Sequence, residues 1–529
     1  MRLFNGKPTR AGRVVVLAGF VSVFAACQDF LDVNTNPNAP EVVAPNLYLP
    51  PMLHWLVTSP QFEGRFIARY TQQLTLPGTS LSTWDRMGYD PGSDNGAQLW
   101  RDVYWSFGQN LIDMMRLSRE QERWDLLGIG YILKAWGWQT LTDLHGEIIV
   151  REAFDPTKFY FNYDTQEFAY QEVERLLDSA IVLLKMTEGE INPTYVARGD
   201  KIYNGDRIKW LKFAYGLLAI HRNHFSNKAS YDPAAVIRAV DSSFVGNADD
   251  ALLTYPNTQN DDINFLGRTR NNFTNYRQTE FIVNLMNGTQ FGGAVDPRLS
   301  RMLVASPDGQ FRGLDIDVVG FGALTTAQRP KNPFGYEGTG GQQSPGTYLF
   351  DDKAKVPAMT YAQLQFVKAE AAYHMGDLAL ARQAYINGIS SHIDFVNARN
   401  NDNNQLPTAI TAAEKAAFLA DTNIVPAAAN LTLTHIMSQK YIAQWAWGHL
   451  ELWMDLRRYH YTDMDPSGLK QVFPGFTPPT NLYPDNGGKV VQRLRPRYNS
   501  EYVWNRASLD AIGGLDLDYH TDTLWITTP

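Results

Sequence analysis

"YAQLQFVKAEAAYHMGDLALARQAYINGI", residues Tyr361 to Ile389, decides the architecture. Small and large apolar residues recur at a spacing of three and four, the period of a helix and not of a strand. The pattern breaks at Gly376-Asp377 and then resumes. Ala369, Ala372, Ala381 and Ala384 stand where two helices would touch, and such small side chains allow close approach. The stretch therefore reads as two antiparallel helices joined by a tight turn.

This pair is similar to one tetratricopeptide-type unit. The ~34-residue period of such repeats does not recur strictly elsewhere, so a regular solenoid is not expected. Outward from the pair, the same periodicity predicts short helices over Pro51–Val57 and Gln61–Leu74, with proline opening the first. Longer ones are predicted over Ala97–Leu117, Leu126–Leu144 (ended by Gly146), Asp164–Leu184 (capped by its leading Asp-Thr-Gln-Glu), Asp206–Phe225 and Leu433–Tyr461. Asn257–Tyr276, Val304–Leu349 and Pro466–Glu501 lack periodic apolars and are rich in Asn, Gly or Pro. Irregular segments of this length in a compact protein tend to carry function. The fold class expected is all-α: a scaffold of helical hairpins over about 47–245 and 355–461, with a loop-rich subdomain of about 246–354 and 462–529 packed on one side.

The amino terminus reads differently. Arg2, Lys7, Arg10 and Arg13 precede a 13-residue apolar run, Val14–Ala26, with no acid before Asp29. At ~1.5 Å per residue that run spans roughly 20 Å, short of a ~30 Å bilayer core. Residues 1–26 read as a secretory signal peptide. Cys27, the single cysteine, follows at once. This resembles the lipobox of bacterial lipoproteins, with Phe24 where Leu or Val is usual. A lone thiol gives no disulfide, whereas two or more acyl chains give stable anchoring, so Cys27 is the expected lipidation site. Without residues 1–26 the balance is 43 basic to 55 acidic side chains, a net charge of −12. That argues against nucleic acid as a partner.

No nucleophile elbow, phosphate loop, zinc-protease or dinucleotide motif occurs. His221 and His224 lie three apart on a predicted helix without a nearby acid and read as partly exposed helix surface. Asp261-Asp262 with Asn260 and Asn264 reads as a solvated loop and not as a calcium site. No catalytic residue, metal or cofactor is assigned. Trp136, Trp138, Trp445, Trp447 and Trp453 fall in apolar helices and read as core. "ELWMDLRRYH", Glu451 to His460, reads as a buried ion-pair network in which Asp455 and Arg457 or Arg458 pin neighbouring helices.

A sugar presents an apolar C–H face and many hydroxyls, so its site needs an exposed aromatic ring beside polar forks. Three loops offer that combination. "TSLSTWDRMGYDPGSDNG" (Thr79 to Gly96) holds Trp84, Arg86, Tyr89 and Asn95. "RTRNNFTNYRQ" (Arg268 to Gln278) holds Asn272, Asn275 and Tyr276. "PKNPFGYEGTGG", from Pro330, holds Phe334 and Tyr336. Trp84, Arg86, Tyr89, Asn95, Asn272, Asn275, Tyr276 and Tyr336 are the candidate ligand residues.

Several ordered stretches carry a family resemblance: "CQDFLDVNTNPN" from Cys27, "LTDLHGEI" from Leu141, "YNGDRIKWLKFAYGL" from Tyr203, "DPRLSRML" from Asp296, the Tyr361 hairpin, "QKYIAQWAWGHLELWMDLRR" from Gln439 and "RLRPRYNSEYVWN" from Arg493. In the second, Glu147 and Ile149 stand where the motif has Asp and Pro. As a set the chain resembles the SusD/RagB family of outer-membrane nutrient-binding lipoproteins. The resemblance implies tetratricopeptide-like pairs, no catalysis, attachment at the cell surface of the outer membrane, an oligosaccharide or peptide ligand, and a SusC-like TonB-dependent barrel as partner. It also places ligand near the tryptophan loop after the early helices. A secreted helical glycoside hydrolase, needing two facing carboxylates, and a helical-repeat assembly protein without a small ligand are the alternatives.

Overall fold

A computed structural model describes residues 43–90, 95–259, 262–338, 346–405 and 407–529. Cys27, the signal segment, Asn260 and Asp261 lie outside the described residues. The longer helices are α1 (Leu49–Tyr70), α2 (Gly108–Glu120), α3 (Trp124–His145), α4 (Gln166–Lys185), α5 (Arg207–Asn223), α6 (Pro233–Asp241), α7 (Tyr361–His374), α8 (Leu378–Arg399), α9 (Ala412–Ala420), α10 (Leu433–Gln444) and α11 (His449–Arg458). None is long and apolar enough to cross a membrane among the described residues.

From α2 to α8 each helix packs on the next, α10 lies against α7, and α11 lies against α1. The predicted hairpin is α7–α8. Its turn works because Gly376 takes φ 83°, a left-handed conformation that glycine adopts without a Cβ penalty. Asp377 then caps α8 by accepting from the Leu380 amide. All four predicted alanines are buried. The caps of α4 and α5 are likewise local: Thr165 accepts from the Phe168 amide, and Asp206 from those of Ile208 and Lys209.

Two helix expectations are corrected. The two short helices predicted before Leu74 are one helix, α1, with Pro60 inside it. Proline there removes a backbone bond, but Leu49, Met52, Leu53, Leu56, Val57, Ile67 and Ala68 are all buried, and at ~25 cal/mol per Å² that burial outweighs one lost bond. Conversely, the helix predicted over Leu433–Tyr461 is two, α10 and α11. Ala446 sits at φ 74°, and its amide donates to Gln73 Oε1 at 3.0 Å.

The predicted polar network is present between these helices. Arg458 meets Asp455 at 2.6 Å and Glu370 at 2.8 Å, and Lys440 meets Asp455 at 2.9 Å, all buried. Arg457 turns elsewhere, to the Asp143 and Gln492 carbonyls at 2.7 and 2.8 Å. His224 joins the network through Glu451 at 3.0 Å, and His221 is also buried, so neither forms the exposed surface expected of them. The expected tryptophans are core, except that Trp136 is only partly buried. Asn264 departs from the solvated-loop reading too: it is buried and donates to the Leu349 and Asp351 carbonyls.

Four short strands stitch the irregular segments to this scaffold. β1 (Leu74–Thr75) pairs antiparallel with β3 (Arg277–Gln278), and β2 (Ala251–Leu253) with β4 (Val356–Met359).

Candidate functional site

The β1–β3 pair brings the first two predicted loops together. Arg69, in the last turn of α1, donates to Ser82 Oγ at 2.7 Å and to the Tyr276 hydroxyl at 3.1 Å. Asp85 accepts from Thr75 and Ser82 at 2.9 and 2.7 Å. The third loop joins through Arg277. Its guanidinium is buried and donates to five backbone carbonyls, those of Pro330, Thr274, Tyr276, Glu337 and Gly338, at 2.7–3.2 Å. Without a carboxylate beside it, burial pulls its pKa down to about 10.

The ring faces expected at the surface are not there, which corrects the central expectation for these loops. Trp84 is 4% exposed and packed among Phe66, Tyr70 and Tyr89, with ring centroids 4.7–5.4 Å apart. Tyr89 is buried, its hydroxyl bonded to the Asn95 carbonyl at 2.9 Å, and burial pushes its pKa well up. Tyr276 is buried with its hydroxyl on the Arg65 carbonyl. Phe334 is buried and Tyr336 partly so. Among the polar candidates, Arg86 is spent on the Asn481 and Leu482 carbonyls and Asn481 Oδ1. Asn272 is half-buried and bonded to the Phe265 carbonyl, Asn95 is half-buried, and Asn275 is exposed. Most of these residues are packed within their own loops or bonded to neighbouring backbone: apolar rings bury themselves wherever neighbours allow, in loops as in helices.

Beside the β1–β3 pair lies a cleft that the sequence reading missed, lined by other residues. Thr279 Oγ1 bonds the Gln72 carbonyl, and the Leu314 backbone bonds Gln278 and Glu280 at 2.9 Å each, so three segments meet. Gly313 permits the approach, since a Cβ there would stand 1.9 Å from the Thr279 carbonyl carbon. Gln278 clamps the same loop, donating to the Val304 and Arg312 carbonyls at 3.0 and 2.8 Å. Two adjoining cavities result, of about 520 and 270 Å³. They share Glu280, Asn284, Leu314 and Asp315; Phe311 and Phe321 line the larger, Gln72 and Thr477 the smaller. Asp317 fixes the outer wall by accepting from the Thr480 amide at 2.9 Å. Glu280 and Asn284, four apart on one helical turn, were the available signal.

This is a surface of carboxylates, carboxamides and two half-buried rings, with one guanidinium, Arg312, that is paired with Asp308 at 2.7 Å. It can accept and donate many hydrogen bonds to a neutral polyhydroxylated ligand, and its three acids disfavour an anionic one. Among the described residues no group of three or more metal-ligating side chains gathers.

A family model described as "Starch-binding associating with outer membrane", SusD-like, matches residues 37–484. No curated protein matches the chain in sequence. Among solved structures, a SusD/RagB family protein from Bacteroides thetaiotaomicron aligns with TM-score 0.64 and 21% identity over 92% of this chain and 99% of its own. A SusD homolog from Bacteroides fragilis gives 0.68 and 17% over 92% and 100%. A chitin-binding SusD homolog from Flavobacterium johnsoniae gives 0.64 and 20% over 92% and 98%.

Proposed function

This chain belongs to the SusD-like family, and on that premise we propose that it is a non-catalytic surface lipoprotein that captures an oligosaccharide in the loop-face cleft. The cleft carries the reading: two adjoining cavities lined by Glu280, Asn284, Asp315 and Phe321 pair hydroxyl-bonding groups with a ring face, the combination a sugar needs. The family's starch-binding description and the chitin-binding neighbour support a glycan over a peptide. Diacylation of Cys27 would hold the body at the outer membrane, and a SusC-like TonB-dependent barrel would receive the ligand.

Calorimetry with maltoheptaose and chitohexaose tests the cleft. The double variant Asn284→Ala, Phe321→Ala is expected to weaken binding there at least roughly tenfold, the loss of a ring contact plus a hydrogen bond. Affinity equal to the parent's removes the cleft from the reading. For the anchor, Cys27→Ser is expected to shift the protein from the membrane fraction to the soluble one. A variant that still sediments with membranes refutes lipidation at Cys27. A large barrel co-purifying from detergent extracts in equal amount supports the partner, and its absence counts against it.

A further inference from the structure

A second concavity, sharing no lining residue with the loop-face cleft, lies at the start of the helical run that leads into α2. It encloses about 640 Å³, more than either single cavity of the cleft. Its walls are unusual in the same way. Asp102–Phe107 and Tyr498–Tyr502 are both π-helical, with the Gly108 amide reaching back five residues to the Val103 carbonyl. Such turns widen a helix and are frequent at functional sites because they re-aim the side chains they carry. Here they carry Tyr104 and Trp105 on one wall, Ser500 and Glu501 on the other.

The pocket is locked from behind and open in front. The Tyr104 hydroxyl donates to the Ile149 carbonyl at 2.8 Å and accepts from the Ile149 amide at 2.9 Å. Asn505 exchanges hydrogen bonds with the Phe161 backbone at 3.1 and 3.0 Å. Glu501 is buried, with Oε2 held by Tyr163 and Asn505 at 2.6 and 2.9 Å and Oε1 engaged by neither. In front, Trp105 is 67% exposed, and the Arg101 guanidinium covers its ring at 4.8 Å, leaving the opposite face clear of that cation. Of the five well-exposed aromatic side chains among the described residues, Trp105 lines the pocket, and Phe159, Tyr160, Tyr498 and Trp504 stand close in sequence to the lining residues Phe161, Arg497 and Glu501.

An exposed indole beside guanidinium, hydroxyl and carboxylate groups is what a pyranose ring requires: a flat apolar platform and hydrogen-bonding partners around its edge. A flat protein interface would need neither the enclosed volume nor the inward carboxylate. We propose that this pocket is a second saccharide-binding site, with Trp105 as its stacking platform and Glu501 Oε1 as a hydroxyl acceptor. It stands apart from the loop-face cleft and does not require that cleft to be occupied.

The test uses the mature chain carrying Asn284→Ala and Phe321→Ala, titrated with maltoheptaose and chitohexaose. Saccharide binding is expected to persist in that background. Adding Trp105→Ala should weaken it by roughly tenfold, the loss of one stacked ring. Because Trp105 is exposed, an unchanged circular dichroism spectrum and melting temperature are expected to accompany the loss. Absence of binding to either sugar in the cleft-variant background, or unchanged affinity after Trp105→Ala, overturns the second site. A loss confined to the cleft variants touches only the loop face, so the two readings fail separately.

Discussion

Trp84 lies in an irregular turn and is sealed; Trp105 lies in a helical segment and is open. Both follow α1 within forty residues, and α1 explains the contrast. It turns Phe66 and Tyr70 toward Trp84, so the loop has rings to fold onto. Trp105 falls two residues from both Val103 and Phe107, which are buried, and so projects from the opposite side of the same turn. Exposure is set by which face meets a partner, and the class of secondary structure carries little of that information.

Three substitutions would break or sharpen this contrast. The largest effect is expected for Trp84→Ala, which empties a fully packed aromatic cluster and should cost ~3–5 kcal/mol in urea unfolding. A loss below ~1 kcal/mol would mean that the turn is not part of the core.

Next is Glu63→Gln. Glu63 joins the two regions: it sits in α1, and its Oε1 accepts from the Leu99 amide at 3.0 Å, in the first turn of the helical run carrying Trp105. Burial raises its carboxyl from 4.5 to about 8. The folded protein therefore holds a proton that the unfolded chain releases across that window, and stability falls as pH rises through it. Glutamine is neutral in both states and removes this slope. Relative to the parent, the variant is expected to gain up to a few kcal/mol between pH 5 and pH 8. A pH-independent difference in melting would show that the carboxyl is ionised when folded.

The smallest is the effect of Trp105→Ala on folding, expected within ~0.5 kcal/mol of the parent. A loss of ~2 kcal/mol or more would mean that Trp105 packs inward and that the contrast with Trp84 does not hold.

What could be read from the chain followed the range of the interactions. The α7–α8 hairpin was legible because its period, its alanines and its Gly376-Asp377 turn are all local. The network around Asp455 was legible in kind, since charges inside an apolar helix need partners, but the choice of Arg458 over Arg457 depends on Glu370, far away in sequence. The break between α10 and α11 was not legible, because the partner that holds Ala446 is Gln73. The loop-face cleft was hidden for the same reason: Gln72, Glu280, Asp315 and Thr477 come from four separate segments. Trp105 left a trace, being out of phase with Leu99, Val103, Phe107 and Leu111, and that trace was available from residue order alone.

The Arg277 hub has an evolutionary corollary. Its five donors all rest on main-chain oxygens, so the identities of the surrounding side chains are free of it. Loops pinned in this manner could exchange their outward residues, and with them the choice of cargo, while the stake that fixes them stays put.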